Sequence, residues 1–361
     1  SGEAAAAAGV RDAAEILFGN GGGELRFNHN NVFYAFTNSN GIDVSIAGKG
    51  SVIHEGSGTT LLSGNNTYTG GTWLRGGLLK IAEGSSAGNN LIFFEGGAIE
   101  WMGERPVLTG IGGNGNFDFG SESLRLNQDI DTEFGGTLGG TGDLVKDGVG
   151  RLTLSGGIEY TGMTTVHEGA VVFTHGLLSE GDELMIAPNA TLASGNKIVR
   201  DVRNDGTVQA LEGTLHLSGE VSGNGVFSGD FHFSGTTRPG TSPGLLMFEG
   251  DLSFSDEHVL EMEIAGLLRG GNYDALDITG SFTAGGLLVV TFLNGFQPEL
   301  GDSFFFLNVG GTIYGQFGEV VLPALENPAA RWDTSNLYTT GVVIVVPEPQ
   351  ANTLLIFGLV S

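Results

Sequence analysis

Residues 48–77 and 140–169 carry one pattern twice, at a constant offset of 92 positions (Tyr160 against Tyr68) and without a gap. The first copy reads Gly48-Lys-Gly-Ser-Val-Ile-His-Glu-Gly-Ser-Gly58, then Leu62-Ser-Gly64, Tyr68-Thr-Gly70 and Thr72. The second reads Gly140-Thr-Gly-Asp-Leu-Val-Lys-Asp-Gly-Val-Gly150, then Leu154-Ser-Gly156, Tyr160-Thr-Gly162 and Thr164. Short runs such as Leu25-Arg-Phe27, Leu124-Arg-Leu126 and Leu152-Thr-Leu154 alternate apolar with polar residues, the period of a strand with one buried face. Gly-x-Gly corners recur at Gly113–Gly115 and Gly223–Gly225. Strands this short cannot bury an apolar face alone. A chain winding about a common axis solves the problem, because each turn pairs its backbone with the turns above and below. The predicted fold is therefore all-β, a parallel β-helix (solenoid) of about 20 residues per turn.

Composition agrees. The 361 residues include 64 Gly and 23 Phe, and 40% are hydrophobic, enough to build a core between many tight turns. With no cysteine, disulfides, thiolate metal sites and thiol nucleophiles are excluded. A formal charge of −26 repels phosphate backbones, so nucleic acid is excluded as a partner. The predicted domain order is a helical cap at 1–22, from the Ala-rich stretch Ala4–Phe18; the β-helix at 23–240; a β-rich closing region at 241–346; and a short separate tail at 347–361.

Leu61-Leu-Ser-Gly-Asn-Asn-Thr-Tyr-Thr-Gly-Gly-Thr72 resembles the autotransporter-associated β-strand repeat of passenger domains, and Leu152–Thr164 resembles a degraded copy of it. The resemblance implies a right-handed β-helix, secretion, and a place at the cell surface or in the extracellular matrix of a Gram-negative-type bacterium. It makes Gly64, Tyr68, Gly70, Thr72, Gly156, Tyr160, Gly162 and Thr164 structural repeat residues. In the C-terminal part, Arg238–Gly244, Glu261–Gly266, Tyr273–Gly280 and Trp332–Ser335 resemble the region that closes such proteins. Pro347-Glu348-Pro349 resembles the start of a PEP-CTERM sorting signal, which implies transient membrane engagement. The stretch that follows, 351–361, is shorter than the ~20 residues a membrane helix needs.

Catalytic motifs are weak. Gly240-Thr-Ser242-Pro-Gly244 matches a nucleophile elbow, but Pro243 has no N–H for an oxyanion hole. Gly84-Ser-Ser86-Ala-Gly88 precedes a strand-like run where the elbow needs a helix, and so does Gly110-Ile-Gly112-Gly-Asn-Gly115 where a dinucleotide needs one. The seven histidines form no metal-ligand pair. Asp129, Asp131 and Glu133 alternate and, on one strand face, are the candidate Ca²⁺ ligands; Glu261 with Glu263 and Asp274 with Asp277 are further carboxylate pairs. The sequence thus reads as a non-enzymatic structural or adhesive protein that self-associates into fibres or a layer. The alternatives are a β-helix binding extracellular polysaccharide, with Trp73, Trp101 and Trp332 as stacking residues, and a polysaccharide lyase or hydrolase.

Overall fold

The computed structural model describes residues 14–174, 181–195, 197–240 and 242–349. The chain divides into two compact units, residues 1–221 with 225–232, and residues 222–224 with 233–361. Among the described residues there are strands and turns and no helix.

In the first unit the strands as far as Val202–Asn204 are short and their ladders parallel, and the longer Thr207–Leu217 follows them. Glu24–Phe27, Ser51–His54, Thr72–Leu74, Leu91–Phe94 and Gly110–Gly112 form one wall. Tyr34–Ala35, Thr59–Leu62, Leu78–Ile81 and Ala98–Trp101 form a second, and Glu15–Phe18, Ser45–Gly48 and Thr67–Tyr68 a third. The first turn is the longest, pairing Ile16 with Ile46 and Leu25 with Val52. From there Val52 pairs with Thr72, Thr72 with Ile92 and Ile92 with Ile111, a step that matches the expected turn of about 20 residues. These four side chains stack as a buried column along one wall. Further on, Leu124, Leu144, Thr164, Leu184 and Val202 do the same. Period two puts every second residue of each strand inside, and the steady turn length places like upon like.

The predicted N-terminal helix requires correction. Residues 4–13 lie outside the described residues, but Glu15–Phe18 is a strand paired in register with Ser45–Gly48. Its alternating exposure is that of an edge rung, with Leu17 pointing outward. Four ladder positions on an existing wall override a helix propensity worth only tenths of a kcal/mol per residue.

The second unit keeps parallel stacking but lengthens the turn, so that Leu260 pairs with Leu288, Leu276 with Leu307 and Leu287 with Glu319. Val259–Ile264 pairs with Leu287–Phe292 over its whole length, and that strand pairs in turn with Glu319–Val321. Antiparallel pairing joins Ser303–Phe305, Ala330–Asp333 and Val342–Pro347, whose inner residues Phe304, Val343 and Val345 are buried.

Candidate functional site

The two copies of the repeat match in chemistry as well as in sequence. Tyr68 is buried and its hydroxyl lies 2.6 Å from Thr72 Oγ1; Tyr160 and Thr164 make the same bond at 2.6 Å. Burial raises both phenols above their ordinary range, so both stay protonated near neutrality. Gly64 and Gly156 pass directly over the carbonyls of Val44 and Gly136, which are themselves separated by the repeat offset. Gly70 and Gly162 pass over the carbonyls of Gly50 and Gly142 in the same way. None of these four has a left-handed backbone; what demands glycine is contact with the preceding turn, where any Cβ would collide. At another repeat pair, Gly77 (φ +59°) and Gly169 (φ +68°), left-handed backbone and the same contact with the preceding turn act together.

A buried polar position also recurs. His54 and Lys146 occupy one place in the repeat, both facing inward near a strand end, and both are buried. His54 Nδ1 lies 2.7 Å from Gly76 O and its Nε2 3.0 Å from Thr60 Oγ1, which in turn is 2.8 Å from His29 Nε2. Asn31 N–H donates to His29 Nδ1. The chain of bonds therefore assigns every proton: His29 donates to Thr60, Thr60 to His54, and His54 to Gly76 O, with both rings neutral. Burial, the larger cause, and the neighbouring His29 lower the His54 pKa. Lys146 Nζ donates to Gly148 O at 2.7 Å and Asp147 O at 2.9 Å, and burial lowers its pKa. Both side chains close a corner from within. Inward position in the alternation Val52-x-His54 and Leu144-x-Lys146 was the available signal, yet a histidine or lysine there reads as a polar-face residue.

The three candidate Ca²⁺ ligands are not brought together. The strand Leu124–Asn127 ends before Asp129, a bend at Ile130 intervenes, and the next strand begins at Thr132. Asp131 accepts from Arg151 N at 2.9 Å and Arg151 Nη2 at 3.2 Å, while Glu133 accepts from Ser155 Oγ at 2.7 Å. Among the described residues no group of three or more metal-ligating side chains forms. Elsewhere carboxylates pair with the adjacent turn: Arg75 with Glu95 (2.7 Å), Lys80 with Glu100 (3.0 Å) and His167 with Asp147 (2.8 Å).

In the second unit the other two carboxylate pairs find protein partners. Arg238 grips Glu261 through Nε (2.7 Å) and Nη2 (3.1 Å), and Ser242 Oγ donates to Glu263. Asp274 is buried, accepting the N–H groups of Gly244 (2.6 Å) and Glu263 (2.8 Å). Burial pushes its carboxyl up to about 7 against those two donors. Asp277 pairs with Arg269 at 2.9 Å. Ser242 thus bonds a carboxylate, not a histidine base. Ser86 Oγ donates to Asn66 O, tying a corner to the turn before it. Pro347 is paired with Ala330, and Glu348 N–H donates to Ala329 O at 2.7 Å, so the Pro347–Pro349 stretch leaves the antiparallel trio from its last rung.

Stacked short strands, corner glycines and a bonded Tyr–Thr pair in each copy define a parallel β-helix built on a recurring unit. A family model described as the passenger-associated-transport-repeat matches residues 55–81 and 144–173, windows that enclose both Tyr–Thr pairs and end at equivalent positions of the two copies. The chain thus carries two segments similar to that repeat, which agrees with the resemblance read from Leu61–Thr72 and Leu152–Thr164. Over 143 residues it is 32% identical to the adhesin BmaC autotransporter of Brucella suis biovar 1 (strain 1330), a match covering 38% of this chain and 4% of that protein.

Proposed function

We propose that this chain is part of a secreted protein displayed at the surface of a Gram-negative-type bacterium, where it serves as an adhesive, self-associating structural element and not as an enzyme. The observation that carries the reading is the use made of the repeat: its glycines let one turn pass over the next, and its tyrosines and threonines are bonded to one another in the core, inside a chain similar to part of an autotransporter adhesin. Backbone pairing between turns supports a body that persists outside the cell without disulfides.

Self-association is supported by the ends of the ladders. Among the described residues, Ile313–Gly315 pairs only with Phe282–Ala284, and Glu319–Val321 only with Leu287–Phe292, so each offers one edge; Tyr314 and Val321 are exposed on them. Beads coated with the chain should be retained on host-cell monolayers or on matrix polysaccharide, and light scattering should show mass rising with concentration. Retention no better than uncoated beads would remove the adhesive reading. A constant monomer mass at every concentration would remove self-association. Product released from a polysaccharide panel would replace both with catalysis.

A further inference from the structure

The wall of Tyr34–Ala35, Thr59–Leu62, Leu78–Ile81 and Ala98–Trp101 stops at Trp101. Phe117–Asp118 pairs instead with Leu138–Gly139, so the ladder is interrupted between Trp101 and Phe117. Residues 102–108 cross the gap, and beside them lies a recess of about 260 Å³ whose lining includes Trp101, Arg105, Phe117, Asp118, Phe119 and Glu122. The Arg105 guanidinium sits 5.8 Å from the Trp101 ring centre and 5.9 Å from those of Phe117 and Phe119. It is held there by Phe119 O, which accepts from Nη2.

Three properties of this lining meet in one kind of ligand. The half-buried indole offers an apolar face. Two donors on lining residues, Trp101 Nε1–H and Arg105 Nε–H, are shielded from solvent and have no acceptor among the described residues. Two carboxylates bring acceptor capacity that the chain barely uses: Asp118 Oδ1 takes Gly120 N–H at 2.8 Å, and Glu122 stands 4.0 Å from Arg105 Nη2. A hydroxylated ring supplies C–H groups for the indole and hydroxyl hydrogens for the carboxylates, and its oxygens meet the two shielded donors once the lining shifts to admit it.

Charge selects among such rings. Lys80 neutralises Glu100 at the edge, which leaves two carboxylates against one guanidinium within a chain of net charge −26. Uronates and sulfated or sialylated sugars are repelled. At about 260 Å³ the recess is smaller than the roughly 300–1,000 Å³ of sites that enclose drug-sized ligands, which suits one sugar residue. We propose that the recess between Trp101 and Phe117 binds a single neutral sugar residue of a larger glycan. The proposal rests on the adhesive reading and deepens it by giving it a ligand class.

The test follows the indole N–H resonances of the ¹⁵N-labelled chain during titration with hexasaccharides of glucose, mannose and N-acetylglucosamine, with hexagalacturonate as the acidic control. The chain has three tryptophans, and the signal missing in W101F identifies Trp101. A neutral sugar should move that signal with a Kd of about 0.1–1 mM. Binding should weaken at least tenfold in W101A and in D118N, persist in W73A, and be weaker still for hexagalacturonate. D118N keeps the oxygen that accepts Gly120 N–H, so it tests the pocket even if W101A fails to fold. No shift of the Trp101 signal by any of the neutral sugars up to about 10 mM, movement of another indole alone, unchanged affinity in D118N, or tighter binding of hexagalacturonate would each overturn it. Bead retention that survives D118N while sugar binding is lost would sink the pocket as the adhesive site and leave the adhesive reading standing.

Discussion

The tyrosine and threonine of each repeat copy are bound to one another in the core, and the glycines around them are set by contact with the turn beneath. Replacing Thr164 with Val strands the Tyr160 hydroxyl in an apolar interior, which should cost about 1–3 kcal/mol in denaturant unfolding. Gly156→Ala drives a methyl into Gly136 O and should cost at least about 1–3 kcal/mol, and Gly64→Ala a similar amount against Val44 O. Equal losses in the two copies would confirm their equivalence; a neutral Gly156→Ala would contradict the contact. Protonation acts in opposite directions in the two units. His54 has a lowered pKa, so the stability it contributes is present above about pH 6.5 and is lost as pH falls through the depressed value. Asp274 has a raised one, so its contribution is full below about pH 4 and is lost as pH rises to about 7. Hydrogen exchange should find the amides around His54 opening in acid and those around Asp274 opening toward neutral pH, with Asp274→Asn abolishing the latter slope. The repeat made plain which residues recur but not what they do. The Tyr160–Thr164 bond is local, but contact between turns is set by turn length, and no local pattern reveals that Thr60 joins His54 to His29 of the turn before.

A strand here is worth what its neighbours make it. Val145 lies mid-strand in Leu144–Asp147, with Leu124–Asn127 on one side and Thr164–Val166 on the other. Val145→Pro removes a ladder bond and distorts two interfaces, which should cost about 3 kcal/mol or more. Tyr314 lies in a strand with a single partner, and Tyr314→Pro should cost clearly less, measured by the same unfolding experiment. Comparable losses would mean that the edge strand is paired in solution. Element type was legible wherever alternation ran between Gly or Asn corners, as in Leu124–Asn127. It was misread at Glu15–Phe18, where alanine-rich neighbours speak for helix and only the distant Ser45–Gly48 supplies the ladder. The recess beside Trp101 was likewise hidden, since an interrupted ladder leaves no mark in composition. Trp101 stood out only as one of three tryptophans offered for stacking on polysaccharide.

Across the molecule, 41 acidic residues face 15 basic ones. Ion pairs between turns, such as Arg75–Glu95 and Arg151–Asp131, are solvent-exposed and contribute at most about 1 kcal/mol each. The unpaired excess repels itself. Salt should therefore stabilise the fold: raising NaCl from about 10 mM to about 0.5 M should lift Tm by a few degrees, because screening relieves more repulsion than attraction. A falling Tm would show that the ion pairs dominate.

The near-constant spacing of partners in the first unit also bears on how such a chain can change its length over generations. Losing one residue inside a strand turns every later side chain of that strand inside out. Losing one at a corner is absorbed, as the shorter step from Thr191 to Thr207 demonstrates beside that from Ala170 to Thr191. Gain or loss of a whole turn of about 20 residues is milder still, since the strands on either side simply meet new partners of the same kind. Variants of this protein should accordingly differ in size by steps of one turn.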